Sequence, residues 1–197
     1  MIALKQMPPG FPTQAHAPAF WEALGRAAGT FGFLEETLGK AIFAWTAMTR
    51  ITEKAPDTAC AKWTSKLEHA LSDPLRNLID SYERAVRDHG EAKFEGFDEL
   101  IKHLEEAARL GNVLCHGSWN RSPDAEGRSI PFFVTGNGEK QKIFESPIDI
   151  GYLQQLQRGV AELACEVIDT VTIMGWQFPG TNGPGVPIFQ PKERLAG

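Results

Sequence analysis

Arg109, Asn112 and His116 are the side chains whose types and spacing best suit a chemical reaction in this sequence. Positions i, i+3 and i+7 lie along one face of an α-helix. A histidine exchanges protons near neutral pH, an arginine binds a phosphate or its developing charge, and an asparagine orients a hydroxyl. These are the groups that a metal-free cleavage of a phosphodiester requires.

Apolar residues, among them Leu110 and Val113, surround the three polar ones on every side of the predicted helix. This pattern predicts that the end of the helix is buried or lies at an interface. A buried Arg109 needs a partner, and Glu35 interrupts the apolar stripe of the first helix, so a Glu35–Arg109 pair is predicted. Such a pair beside His116 is equally a common structural network, and both interpretations stay open.

Sequence motifs for bound cofactors and metals are missing: there is no phosphate-binding Gly-rich loop with Lys, no Cys-x-x-Cys and no His-Glu-x-x-His. The sequence therefore predicts neither a cofactor nor a metal. The other four histidines lack ligand-like neighbours and are expected to be solvated or to cap helices: His16, His69, His89 and His103. The three cysteines are expected to be reduced and buried: Cys60, Cys115 and Cys165.

Hydrophobic residues recur every three or four positions along much of the chain, a spacing that predicts helices. The predicted spans are about 18–52, 58–89 with a break at Asp73-Pro74, 97–117 and 149–175. Gly25, Gly29 and Gly32 lower the helix propensity of the first span, and another helix is expected to approach them closely.

A β-hairpin is predicted at about 129–145, because apolar runs flank the turn sequence at 135–138. The expected fold is all-α, a four-helix bundle with this small hairpin before the last helix. The domain prediction is an irregular arm at 1–17, the helical domain at 18–175, and a Pro/Gly-rich tail at 176–197 whose Phe178, Ile188 and Phe189 need a surface to pack on.

Charge and hydropathy limit the partners of this 197-residue chain. The net charge is -5, which disfavours duplex DNA because binding to it draws on many Lys and Arg contacts. No stretch reaches the ~20 apolar residues of a membrane span, and the first residues do not resemble a secretory signal. A cytoplasmic location without a membrane partner is therefore expected.

Residues 109–119 resemble the HEPN superfamily of helical domains, whose signature is Arg, four to six residues, and then His, often with Asn near the Arg. Arg109 and His116 are separated by six residues, and residues 112–119 read Asn-Val-Leu-Cys-His-Gly-Ser-Trp, similar to the Asn-x-x-x-His-Gly-x-Trp of bacterial members. The hairpin, the long last helix and the central Glu35 of the first helix extend the resemblance over residues 20–175. Two features differ from a simple match: Gly111 stands where members most often have Arg, and Arg84 with His89 also fits the signature.

The resemblance implies a homodimer whose two copies form a composite cleft. Active members are metal-independent ribonucleases, in which the counterparts of His116 and Arg109 act on the 2′-hydroxyl and the scissile phosphate. Other members bind nucleotides or have structural roles. The expected function is therefore binding or cleavage of RNA or a nucleotide, and the alternative is a non-catalytic helical homodimer that acts as a protein-interaction module.

Overall fold

Helices dominate the computed structural model, which describes residues 15–47, 75–121, 123–136 and 142–188. The helices within these residues are α1 (Pro18–Ala47), α2 (Leu75–Arg87), α3 (Phe97–His116) and α4 (Ile150–Thr172). The strands β1 (Val134–Thr135) and β2 (Lys142–Ile143) pair antiparallel. The prediction of a mostly helical chain with a small hairpin before the last helix is confirmed.

Local sequence explains where several of these helices begin. α1 starts at Pro18, whose fixed φ suits a first helical turn. Asp98 and Glu99 lie in the first turn of α3, where the helix dipole favours acidic side chains. At the start of α4 the Asp149 carboxylate accepts a hydrogen bond of 2.7 Å from the Tyr152 backbone N–H, which is an N-cap.

Parts of two predicted helices fall on residues that the structure does not describe. α1 was expected to reach residue 52, and the second helix was expected to begin near 58. Residues 48–74, with the predicted break at Asp73-Pro74, lie outside the described residues. The described part of the second helix starts at Leu75, directly after that break.

The chain divides into two compact units. The first comprises 1–32 and 106–161, and the second comprises 33–105 and 162–197. α1, α3 and α4 each contribute residues to both. The predicted boundaries at 17/18 and 175/176 stay predictions. Within the described residues, none of the helices has the length and apolar character to cross a membrane.

The first unit joins the hairpin segment to its helices through backbone bridges and aromatic rings. Antiparallel bridges link Ser118 to Phe132 and Ser129 to Ile148. The His16 ring stacks on Phe20 at 4.5 Å, and its Nε2 is hydrogen-bonded to the Ser129 hydroxyl. The expectation that His16 is solvated or caps a helix is therefore wrong: only 7% of this residue is exposed.

The second unit is built on large apolar side chains and includes a buried polar contact between two helices. Fully buried residues include Leu34, Leu38, Trp45, Leu78, Ile79, Tyr82, Leu104 and Val167. The hydroxyls of Tyr82 and Thr170 lie 2.8 Å apart and link α2 to α4. In the tail Phe178 is buried, as predicted, and a parallel bridge joins Trp176 to Val186. Phe189 lies outside the described residues.

The expectation about the cysteines is wrong, and the one about the glycines is not met by any described helix. Cys115 and Cys165 are exposed, not buried, and Cys60 lies outside the described residues. A Cβ atom built at Gly25, Gly29 or Gly32 meets no described atom within 4 Å, so no described helix approaches these glycines.

Candidate functional site

Arg109, Asn112 and His116 lie on one solvent-exposed face of α3. Their spacing predicts this common face. The expected burial does not extend to it, and the alternative that this end of the helix lies at an interface stays a prediction. The Arg109 side chain is 68% exposed. Buried residues on the other side of the helix explain the exposure, because Ala108, Val113 and Leu114 are each 4% exposed and fix which side of α3 packs inward.

The Glu35–Arg109 pair stays a prediction, and two observations bear on the reason for it. Arg109 has a carboxylate on its own helix, with Glu106 Oε1 3.9 Å from the guanidinium, and both side chains are well exposed. Burial raises the pKa of Glu35, which is opposite to the effect of a guanidinium partner. Arg109 therefore does not need a buried carboxylate, and it remains available to an anion from solvent because exposed ion pairs are weak.

Close packing against Phe31 explains why a glycine stands directly before Asn112. Gly111 is buried, and a Cβ at this position would lie 3.0 Å from two carbons of the Phe31 ring. A long side chain there would displace that buried ring. Position 109 faces solvent instead, so Arg109 lies on the same face as Asn112 and His116.

A groove of about 470 Å³ lies between this part of α3 and the hairpin, and all its lining residues belong to the first unit. We call it the α3–hairpin groove. One wall consists of Glu106, Arg109, Leu110, Asn112 and Val113, and the other of Phe133, Thr135, Lys142, Ile143 and Phe144. The groove thus brings Arg109 and Asn112 together, whereas His116 does not line it.

The register of the hairpin determines which side chains share a face. Thr135 pairs with Lys142, and the Phe144 N–H donates a 2.9 Å hydrogen bond to the Phe133 carbonyl. Side chains alternate along a strand and opposed residues share a face, so these two pairs project to one side and Ile143 to the other. Sequence reasoning missed Lys142 and Phe144, because the hairpin pattern did not show which face meets α3.

The second match to the Arg–His signature has different surroundings. Arg84 is exposed, but the His89 ring is half-buried with its centroid 5.3 Å from those of Trp45 and Trp176. Its Nδ1 is buried and has no hydrogen-bond partner among the described residues. The expectation that His89 is solvated or caps a helix is wrong, whereas His103 is exposed as expected.

Over the described ranges, no three or more His, Cys, Asp or Glu side chains are grouped so that they could hold a metal ion. No family model, curated protein or solved structure matches this chain. Its function is therefore inferred from the polar face of α3 and the α3–hairpin groove.

Proposed function

We propose that this chain is a HEPN-like domain that binds RNA or a nucleotide on the polar face of α3 and carries the side chains for metal-independent phosphodiester cleavage. The observation that supports this most is the common exposed face of Arg109, Asn112 and His116. Three adjacent polar groups of complementary chemistry on an otherwise packed helix end are accessible to a ligand from solvent.

The chemistry follows from what each group does to a ribonucleotide. His116 takes the proton of the 2′-hydroxyl, whose oxygen attacks the adjacent phosphorus and displaces the 5′-oxygen of the next nucleotide. Arg109 stabilises the charge that develops on the phosphoryl oxygens, and Asn112 orients the hydroxyl. The products carry a 2′,3′-cyclic phosphate and a 5′-hydroxyl.

The proposed active form is a homodimer, in which His116 of the second copy protonates the leaving 5′-oxygen. The surface available to a second copy differs from the one the sequence suggested. Val113 and Leu114 are already buried within one chain, whereas Phe132 and Ile143 are 48% and 59% exposed. A cytoplasmic location fits the exposed thiols of Cys115 and Cys165.

Binding to labelled single-stranded RNA of mixed sequence, measured by fluorescence anisotropy in EDTA, tests the proposal. Arg109→Ala should weaken binding by about tenfold or more, because charge-assisted hydrogen bonds to phosphate are lost. Arg84→Ala is the matched control, an exposed cation of the other signature match, and should leave affinity unchanged. Equal affinities for wild type and Arg109→Ala would contradict the proposal, as would the lack of any binding.

A non-catalytic interaction module is the second candidate, and the exposed apolar face of the hairpin favours it. Phe132 and Ile143 offer a second copy or another protein a surface that water solvates poorly. Light scattering separates the candidates: the module requires a dimer mass that Phe132→Asp lowers to the monomer mass, together with no affinity for RNA.

A further inference from the structure

We propose that the α3–hairpin groove holds one nucleotide unit, with its phosphate between Arg109 and Lys142 and its base against the Phe133–Phe144 pair. This inference rests on the proposed function and names its ligand chemistry. It also gives the hairpin a binding role.

Size is the first argument for a ligand of this class. The groove volume of about 470 Å³ lies within the range of roughly 300–1,000 Å³ that is usual for small-molecule sites. Most of its surface is apolar, and five of its ten lining residues carry polar groups, as in sites that take a flat aromatic body and fix its orientation by hydrogen bonds.

Charge is the second argument. Arg109 reaches the groove from α3 and Lys142 from β2, so two cations on different elements line one groove of a chain with net charge -5. The lining includes one carboxylate, Glu106, which lies 3.9 Å from the Arg109 guanidinium and opposes an anion. Two cations and one carboxylate give the lining a net positive charge, which favours a ligand with a phosphate group.

The spacing on the hairpin face is the third argument. Lys142 and Phe144 project from the same side of the hairpin and lie two residues apart, about 7 Å along an extended strand. One ribose joins a base to its phosphate over such a separation. Phe133 lies opposite Phe144, and aromatic rings of this kind stack on any base. Asn112 on the other wall can then bond to the base edge or the ribose.

The salt dependence of RNA affinity separates the two predicted roles. Lys142→Ala should weaken binding and lower the slope of log K against log salt by about 0.7, the value for one phosphate contact in a single strand. Phe144→Ala should weaken binding at least about fivefold with an unchanged slope, because stacking releases no counterions. Glu106→Gln should tighten binding, since it removes the one opposing charge in the groove.

Matched controls come from exposed residues outside the groove lining. Lys102→Ala removes an exposed cation from α3, and Phe33→Ala removes an exposed ring from α1. Both should retain wild-type affinity and slope. Phe144→Leu keeps apolar volume without an aromatic face, so it tests stacking even where Phe144→Ala does not fold.

Adenosine monophosphate, titrated against bound RNA, distinguishes the two sources of this chemistry. If adenosine monophosphate displaces RNA, the groove binds the free nucleotide. If RNA binds without being displaced and the variants behave as above, the groove binds a nucleotide within an RNA chain.

Three outcomes would overturn the inference. If Lys142→Ala and Phe144→Leu both keep wild-type affinity while Arg109→Ala is weakened, the groove is not the binding site, and the proposed function still stands. A wild-type protein that binds neither ligand would overturn both. A groove that serves as a protein interface would show as a lower oligomer mass for Phe144→Leu with no nucleotide affinity, and would also overturn the inference.

Discussion

The chain contains two matches to one short sequence pattern, and their surroundings differ. Arg109 and His116 are both exposed on α3, and Arg109 also lines a groove. Arg84 is exposed, but His89 is packed at ring distances of 5.3 Å from two tryptophans. The pattern fixes the spacing of two side chains along the chain and says nothing of what covers each. Ligand access is therefore the property that separates a candidate reaction site from a packed histidine.

The largest expected difference between the two matches is in catalysis. If the α3 face cleaves single-stranded RNA, His116→Ala and Arg109→Ala should each lower the rate by ~100-fold or more, because each removes a group that acts on the reacting atoms. The rate in EDTA should equal the rate without it, and the products should carry 2′,3′-cyclic phosphates. Denaturing gel electrophoresis of end-labelled RNA measures both. His103→Ala is the control, an exposed histidine on the same helix, and loss of activity in this variant would refute the assignment.

For thermodynamic stability the order of the two histidines should be reversed, with His89 contributing more to the free energy of unfolding than His116. His89→Ala removes a ring from an aromatic cluster and should lower the free energy of unfolding by about 1–2 kcal/mol. His116→Ala changes an exposed side chain and should stay within about 0.5 kcal/mol of wild type. Urea denaturation followed by circular dichroism measures both. A larger loss for His116→Ala than for His89→Ala would show that His116, not His89, is the histidine whose packing stabilises the fold.

Two helical glycines test the packing that keeps Arg109 on the exposed side of α3. Gly111→Ala should lower the free energy of unfolding by about 1 kcal/mol, because the new methyl group meets the Phe31 ring at 3.0 Å. Gly29→Ala faces open space and should raise it by about 0.5–1 kcal/mol through helix propensity. The same denaturation assay compares them. A stabilised Gly111→Ala variant would mean that α3 packs against Phe31 more loosely than the structure shows.

The pH dependence of Glu35 gives the smallest expected effect and tests whether Arg109 needs a buried partner. Burial raises the pKa of Glu35 in the folded state, so its carboxylate destabilises the fold at neutral pH, and this cost vanishes as the pH falls below the ordinary value of 4.5. Glu35→Gln should therefore be more stable than wild type at pH 7, by roughly a few tenths of a kcal/mol since the group is partly solvated, and equal to it at pH 3.

The neighbouring residue provides the control for Glu35. Glu36→Gln removes an exposed ion pair with Lys40, whose atoms lie 2.6 Å apart, and should lower stability slightly at pH 7. Chemical denaturation at the two pH values measures all three proteins. A Glu35→Gln variant that is less stable than wild type at pH 7 would restore the idea that Glu35 has a cationic partner.

Periodicity was sufficient to predict α3 and α4 to within a few residues, because Leu100, Leu104, Leu153 and Val160 mark one buried face each. It also placed Arg109, Asn112 and His116 on a common face. It overestimated the burial of this helix end within one chain, since Leu110 is half-buried and Cys115 is exposed. Lys142 was missed, and His89 was wrongly expected to be solvated or to cap a helix, because the surroundings of both are set by residues from distant parts of the chain.

The most direct test of the central claim is a map of where RNA contacts the protein. In a titration of the isotopically labelled full chain with short single-stranded RNA, amide resonances of Arg109, Asn112 and His116 should shift in proportion to occupancy. Resonances of Arg84 and His89 should stay in place. Shifts confined to α2, or a spectrum that RNA leaves unchanged while the protein is folded, would contradict the account.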